Sequence, residues 1–360
     1  MTLVAIFQEA VEASHPARVL PQALQNIEGD NLHLVALGKA GESMALSALQ
    51  ALQGRIRGGV VVGKHPAQLP PPFEYLRGGH PIPDARSEAA GRRLQSYLRD
   101  LPEGATVIVL LSGGASSLAE IPKEGVSLAE IIDLNRHLMS SGLPIEEMNR
   151  QRGQLSDLKW GGLNRWLPPG TTTLVISDVI DSPPEFVGSG PTAGGGPLEV
   201  VADCQTLLQA ALQAARRRGL PARVYSGALR GEARQVAKDL ANLEQPGLWL
   251  AVGETSVTVS GSGRGGRCQE LALAFALEAQ LKSPRLLLAA ASDGEDGEGI
   301  EVAGAWSDAT TVARARALGL DAAAYLQDND SHAFFAKIGQ HVQVGPTGTN
   351  VNDLMILYRQ

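Results

Sequence analysis

Only two cysteines, Cys204 and Cys268, occur in 360 residues. That is too few for a disulfide framework and fits a reducing compartment, so a cytoplasmic location is expected. Lysine is scarce too: of 31 basic residues, 7 are lysine and 24 are arginine. Set against 38 acidic residues, they leave a formal net charge of -7. That balance argues against nucleic acid as a partner, because phosphate-backbone affinity needs clustered positive charge. A small anionic substrate stays compatible, since a basic pocket can sit in an acidic protein. No apolar run approaches the roughly 18 residues of a membrane span, so no membrane partner is expected. The opening Met1–Glu12 carries Glu9 and Glu12 and no basic region, and reads as an amphipathic helix rather than a signal peptide. No His-x-x-x-His or Cys-x-x-Cys pair occurs among seven histidines and two cysteines, which tells against a zinc enzyme.

What is present is alternation. Short β-branched and apolar runs are expected as strands at His33–Leu37, Val60–Gly63, Val107–Leu111, Thr173–Ile176, Leu248–Val252, Val257–Ser260, Leu286–Ala290 and Leu354–Tyr358. Helical patterns fall near Ser87–Arg99, Leu128–Ser140, Leu198–Arg218, Glu232–Asn242, Gln269–Leu281 and Thr311–Leu318. Such alternation predicts the α/β class: two α/β domains with mainly parallel sheets and an active-site cleft between them. The length suits two cores. The boundary is expected in Asn242–Pro246, giving a Rossmann-like domain over 1–243 and a second α/β domain over 244–360. A return of the last strand to the first domain is left open.

Several strands run into loops built for close approach. Val107–Leu111 leads into Ser112-Gly113-Gly114-Ala115-Ser116-Ser117, a small-residue turn that lets backbone N–H groups reach an anionic oxygen, and a following helix would add its positive end. A plain tight turn is the alternative. His33–Leu37 leads into Gly38-Lys39-Ala40-Gly41, where Lys39 can project over the carboxyl edge of the sheet as a compact cation. The spacing is not that of a Walker A loop. Gly79-His80-Pro81-Ile82-Pro83-Asp84 is a rigid connector in which His80 either meets a ligand or bonds to backbone. Asp178 and Asp181 follow Thr173–Ile176 and can either hold Mg²⁺ through water or form an Asx-turn with a helix cap. Asp293, in Ser292-Asp293-Gly294-Glu295-Asp296, either meets Mg²⁺ or a substrate hydroxyl or belongs to a plain solvated turn. Gly261-Ser-Gly-Arg264-Gly265-Gly266-Arg267 offers low-bulk backbone and two guanidinium groups for phosphate or carboxylate.

Taken together and in this order, these segments resemble the class II glycerate 2-kinases, whose second half is the MOFRL domain. Also matching are Leu155-Ser-Asp-Leu-Lys159-Trp-Gly-Gly-Leu163, Ser189-Gly-Pro-Thr192, Gly253-Glu-Thr-Ser-Val-Thr-Val259 and Gly345-Pro-Thr-Gly-Thr-Asn-Val-Asn-Asp353, so the resemblance covers nearly the whole chain. Trp160 stands where the family commonly has glycine.

The resemblance implies ATP- and Mg²⁺-dependent phosphorylation of D-glycerate at its 2-hydroxyl, with ATP and glycerate as partners. Lys39 and Arg267 map onto the residues the family is thought to use in catalysis. Phosphate or substrate binding is assigned to Ser112, Gly113, Gly114, Ala115, Ser116, Lys159, Gly265 and Gly266, and metal binding to Asp178 and Asp293. A homo-oligomer is compatible with the sequence. Two other readings are a hydroxypyruvate reductase using NAD(P)H and a non-catalytic sugar-acid sensor. The reductase is disfavoured, because no Gly-x-Gly-x-x-Gly follows the first strand with an acidic residue about 20 positions on.

Overall fold

The computed structural model describes residues 2–141, 143, 145–180, 182–280 and 284–360. The chain forms two compact units. One comprises His15–Asp203 with Gly348–Asn350, and the other comprises Met1–Ser14, Cys204–Thr347 and Val351–Gln360.

The unit of His15–Asp203 is built on six strands: β1 (Leu32–Leu37), β2 (Ile56–Gly63), β3 (Phe73–Arg77), β4 (Thr106–Ser112), β5 (Thr172–Ile176) and β6 (Leu198–Ala202). They lie in the order β3-β2-β1-β4-β5-β6, and every pairing is parallel. β1 is buried along its whole length, as a near-continuous apolar strand covered on both faces should be. Val35, Val60, Val109 and Val175 form one cluster with Leu94 and Leu98 of the helix Ala85–Arg99. In this order β1 is followed by β2 on one side, while β4 continues the sheet on the other. The gap beyond the ends of β1 and β4 is therefore the topological switch point, where open α/β sheets bind ligands.

The other unit also has six strands: β7 (Ala222–Leu229), β8 (Gly247–Gly253), β9 (Arg285–Ala291), β10 (Gly304–Asp308), β11 (His341–Val342) and β12 (Asp353–Arg359). Their order is β11-β10-β9-β12-β8-β7. β10 and β12 run against the other strands and sit among them, so only β7 and β8 pair in parallel. The α/β class holds for both units. The parallel expectation holds throughout the first sheet, whereas the second is mixed. The last strand stays in this second sheet, between β9 and β8.

The compact units part at Asp203/Cys204 rather than near 243. The helix Cys204–Arg217 packs on β7 and β8, so residues 204–243 share the second core. Two elements also differ from expectation. Leu198–Ala202 is strand β6, not the start of a helix; its Leu-Glu-Val-Val run carries the β-branched signal. Val257–Ser260 forms no strand. Two of its N–H groups go to side chains instead, with Thr258 donating to Glu232 at 2.9 Å and Ser260 to Asn329 at 2.9 Å. The helix expected over Gln269–Leu281 runs Arg267–Ala279, and Leu281 lies outside the described residues. That helix is buried on both sides. Leu271 and Phe275 face the cluster with Leu287 and Leu357, and Leu273 and Ala276 face Phe334 and Phe335. Among the described residues no helix is long and apolar enough to cross a membrane.

Candidate active site

In the unit of His15–Asp203 the loops after β1 and β4 lock into each other at the switch point. The Lys39 N–H donates to the Gly113 carbonyl at 2.9 Å, and the Ala40 N–H donates to Ser112 Oγ at 3.0 Å. Gly38 has φ +122, and a Cβ there would lie 2.2 Å from Ser112 Oγ, so only glycine allows this contact. Lys39 is half-buried, and its side chain runs beside Gly114: a Cβ added at Gly114 would sit 3.1 Å from Lys39 Cγ and 3.2 Å from His80 Cδ2. Lys39 and His80 thus flank the same glycine, which has φ +85.

The β4 loop divides by exposure. Ser112, Gly113 and Ala115 are buried, and Gly114 and Ser116 are half-exposed. Ser112 is therefore a structural acceptor rather than a ligand-facing hydroxyl. Ser116 Oγ lies 2.7 Å from Ser189 Oγ. The helix expected after this loop is one turn only, Ala115–Leu118, too short to supply much of a dipole. Beside the loop stands Asp178, whose Oδ2 accepts from Asn350 Nδ2 at 3.0 Å. A Cβ at Gly113 would fall 1.7 Å from that same Oδ2, so the missing side chain is what admits the carboxylate. Asp181 lies outside the described residues.

Lys159 does not face a ligand. It is 2% exposed, and its ammonium meets Glu120 Oε2 at 2.5 Å. Burial pulls the Lys159 ammonium below its ordinary range, against the pull of Glu120. Glu120 also accepts from the Ile121 N–H at 3.0 Å and from Ser156 Oγ. This pair braces the chain leaving the β4 loop. Lys159→Ala should therefore cost about 3–5 kcal/mol of stability, because an unpaired buried carboxylate remains, and should leave turnover per folded molecule near normal. Chemical denaturation with parallel kinetics checks this. Trp160, next in sequence, has φ +52, the region glycine enters without strain, and stacks on Phe186 with ring centroids 5.2 Å apart.

In the other unit Arg267 opens the helix Arg267–Ala279. Its Nε and Nη2 donate to the two oxygens of Asp353 at 2.6 and 2.8 Å, and its Nη1 lies 2.8 Å from Glu254 Oε1. Burial opposes its charge, but Asp353 and Glu254 outweigh this and raise its pKa further. Three of the five N–H donors of the guanidinium are thus directed at carboxylates. Arg267 lines a cavity of about 280 Å³ with Glu254, Thr255, Gly265 and Gly266.

The glycine loop before Arg267 behaves differently from the anion cradle expected. The Gly261, Ser262 and Arg264 N–H groups donate to Asn329, Asp328 and Asp330 side chains at 3.0, 2.8 and 3.1 Å. The Gly263 N–H donates to the Asp328 carbonyl at 2.9 Å. Added Cβ atoms at Gly261, Gly263 and Gly265 would strike residues 328–331 at 2.3, 2.3 and 2.1 Å. These glycines serve close packing against the chain's own Asp-Asn-Asp turn. Asp293 Oδ1 accepts from the Glu295 N–H at 3.1 Å, the bond of an Asx-turn. Among the described residues no group of three His, Cys, Asp or Glu is placed to hold a metal ion.

Comparison with known proteins bears on both units. Residues 2–226 match the model of a domain of unknown function, DUF4147, and residues 247–353 match the MOFRL family. The chain is similar to the D-glycerate 2-kinase of Thermotoga maritima, at 34% identity over 98% of this chain and 96% of that one. A protein of Agrobacterium vitis named as a putative hydroxypyruvate reductase is 31% identical, over 97% of this chain and 92% of its own length. The crystal structure of a Thermotoga maritima glycerate kinase superposes with a TM-score of 0.87 at 33% identity, covering 100% of this chain and 99% of that one.

Proposed function

Because the chain belongs to the glycerate 2-kinase family, which joins a DUF4147 domain to a MOFRL domain, we propose that it phosphorylates D-glycerate at the 2-hydroxyl. The γ-phosphoryl of ATP passes to that oxygen, the hydroxyl proton leaves, and ADP and 2-phosphoglycerate are released. The observation that carries this reading is the cluster at the switch point: Lys39 and His80 beside Gly114, with the Asp178 carboxylate against Gly113. A cation, small-residue backbone and one carboxylate are the parts that phosphoryl transfer asks for.

Lys39 supplies a compact positive charge to the oxygens of the transferring group. Gly114 and Ser116 present the accessible backbone and hydroxyl of the β4 loop. Arg267 keeps two N–H donors for an anion, either the glycerate carboxylate or a phosphate, while Asp353 and Glu254 hold the guanidinium in place. Mg²⁺ binds few protein carboxylates and completes its shell with water and substrate phosphates, so a single carboxylate seated over a phosphate loop fits it. Asp178 has that seat; the Asp293 carboxylate instead serves its own turn. When bound, the metal neutralises phosphate charge.

The reductase reading finds less support. β1 runs into Gly38-Lys39-Ala40-Gly41, and β2 ends at Gly63 followed by Lys64, with no carboxylate for a nucleotide ribose. Purified protein with D-glycerate, ATP and Mg²⁺ should release ADP, and with hydroxypyruvate and NAD(P)H should consume neither. Oxidation of NAD(P)H without ADP release would reverse the assignment, and turnover of neither pair would favour a sensor.

A further inference from the structure

The helix that carries Arg267 has no cap of its own. Gly266 holds the N-cap position and offers no side chain, yet Cys268 and Gln269, just inside the helix, are fully buried. Buried N–H groups at a helix start require partners from elsewhere. Here the partner is a single carboxylate from a loop some 30 residues on. Asp296 Oδ1 accepts from the Cys268 N–H at 3.0 Å, and Oδ2 accepts from the Gln269 N–H at 2.8 Å. Gln269 Nε2 then donates to Asp296 Oδ2 at 3.0 Å and to its carbonyl at 2.9 Å.

Asp296 is itself anchored, donating its N–H to the Val302 carbonyl at 2.8 Å. At 1% exposure it cannot be reached by substrate. Gly266 makes the seat possible, since a Cβ there would lie 2.3 Å from Asp296 Oδ1. Burial pushes the Asp296 carboxyl up to about 6, against the lowering pull of Arg267 and the two backbone donors.

We propose that Asp296 is a positioning residue for the phosphoryl transfer, clamping the first turn of the helix Arg267–Ala279 so that Arg267 meets its anion in one orientation. This rests on the reading of Arg267 given above. The side chain is long and would lose considerable freedom on binding an anion unless both ends were fixed beforehand. Asp353 and Glu254 fix the guanidinium, and Asp296 fixes the backbone from which it projects. The helix itself is secured by the clusters on its two sides, so losing the clamp should disturb aim more than folding.

Asp296→Asn keeps the shape but turns an amide N–H₂ toward a backbone N–H. We expect kcat to fall about tenfold or more, with KM for ATP and D-glycerate within about twofold. A purely structural role would not predict the second result: in an Arg267→Ala background the same change should alter kcat by less than about twofold, because the group being aimed is gone. A folded Asp296→Asn protein with normal kcat, or an undiminished loss in the Arg267→Ala background, would overturn the proposal. If Asp296→Asn does not fold, Gln269→Met removes the two side-chain bonds to Asp296 together with the 3.1 Å bond between Gln269 Oε1 and His332 Nδ1, and His332→Phe, which removes only the latter bond of Gln269, is its control; about a threefold loss of kcat in Gln269→Met but not in His332→Phe supports the clamp, and normal kcat in Gln269→Met or an equal loss in both refutes it. Failure of the underlying reading looks different: Arg267→Ala alone would then retain normal kcat.

Discussion

Lys39→Ala should lower kcat by about 10²-fold or more in protein that still folds. A preorganised charge acting on the transferring group lowers the barrier by about 3 kcal/mol, because its interaction strengthens as charge shifts in the transition state. Two backbone N–H bonds that tie the loops together, Lys39 to Gly113 and Ala40 to Ser112, survive the substitution. The variant should therefore still fold, and its kcat is read on the folded protein. A lysine that merely packs beside Gly114 would show the reverse pattern, lost stability with normal turnover. Steady-state kinetics and thermal melts on the same preparation distinguish the two.

Arg267→Lys should also lower kcat by roughly 10²-fold, and this time stability falls as well. An ammonium cannot reproduce the paired bonds to Asp353, nor reach Glu254 and an anion at once. Asp353 is fully buried, so weakening its partner should cost about 1–3 kcal/mol. The activity loss should persist at temperatures where the variant is fully folded. If kcat returns to normal once the folded fraction is allowed for, Arg267 supports the fold and not the reaction.

The strand-end positions of the candidate residues were legible in the sequence because they depend on local patterns. An apolar β-branched run ending in glycines announces a strand and its loop, which located Lys39 and the β4 turn at strand ends. What the loops would meet there was not legible. Lys159 looks in sequence like a cation beside a glycine pair, but its partner Glu120 lies 39 residues away and nothing in the spacing marks it. Asp353 and Asp296, the partners of Arg267 and its helix, are similarly distant. The glycines of Gly261–Gly266 signal close approach correctly, but sequence cannot say whether a ligand or the chain's own Asp328–Asp330 turn is approached. Sheet direction was lost for a related reason: β12 and β10 carry the same apolar signal whichever way they run.

The most direct test of the assignment is the phosphorus spectrum of the product formed from D-glycerate, ATP and Mg²⁺. Phosphate on the 2-hydroxyl couples to one methine proton, and the ester resonance should be a doublet in the proton-coupled spectrum. A triplet, from coupling to the two methylene protons of a 3-phosphate, would contradict the account.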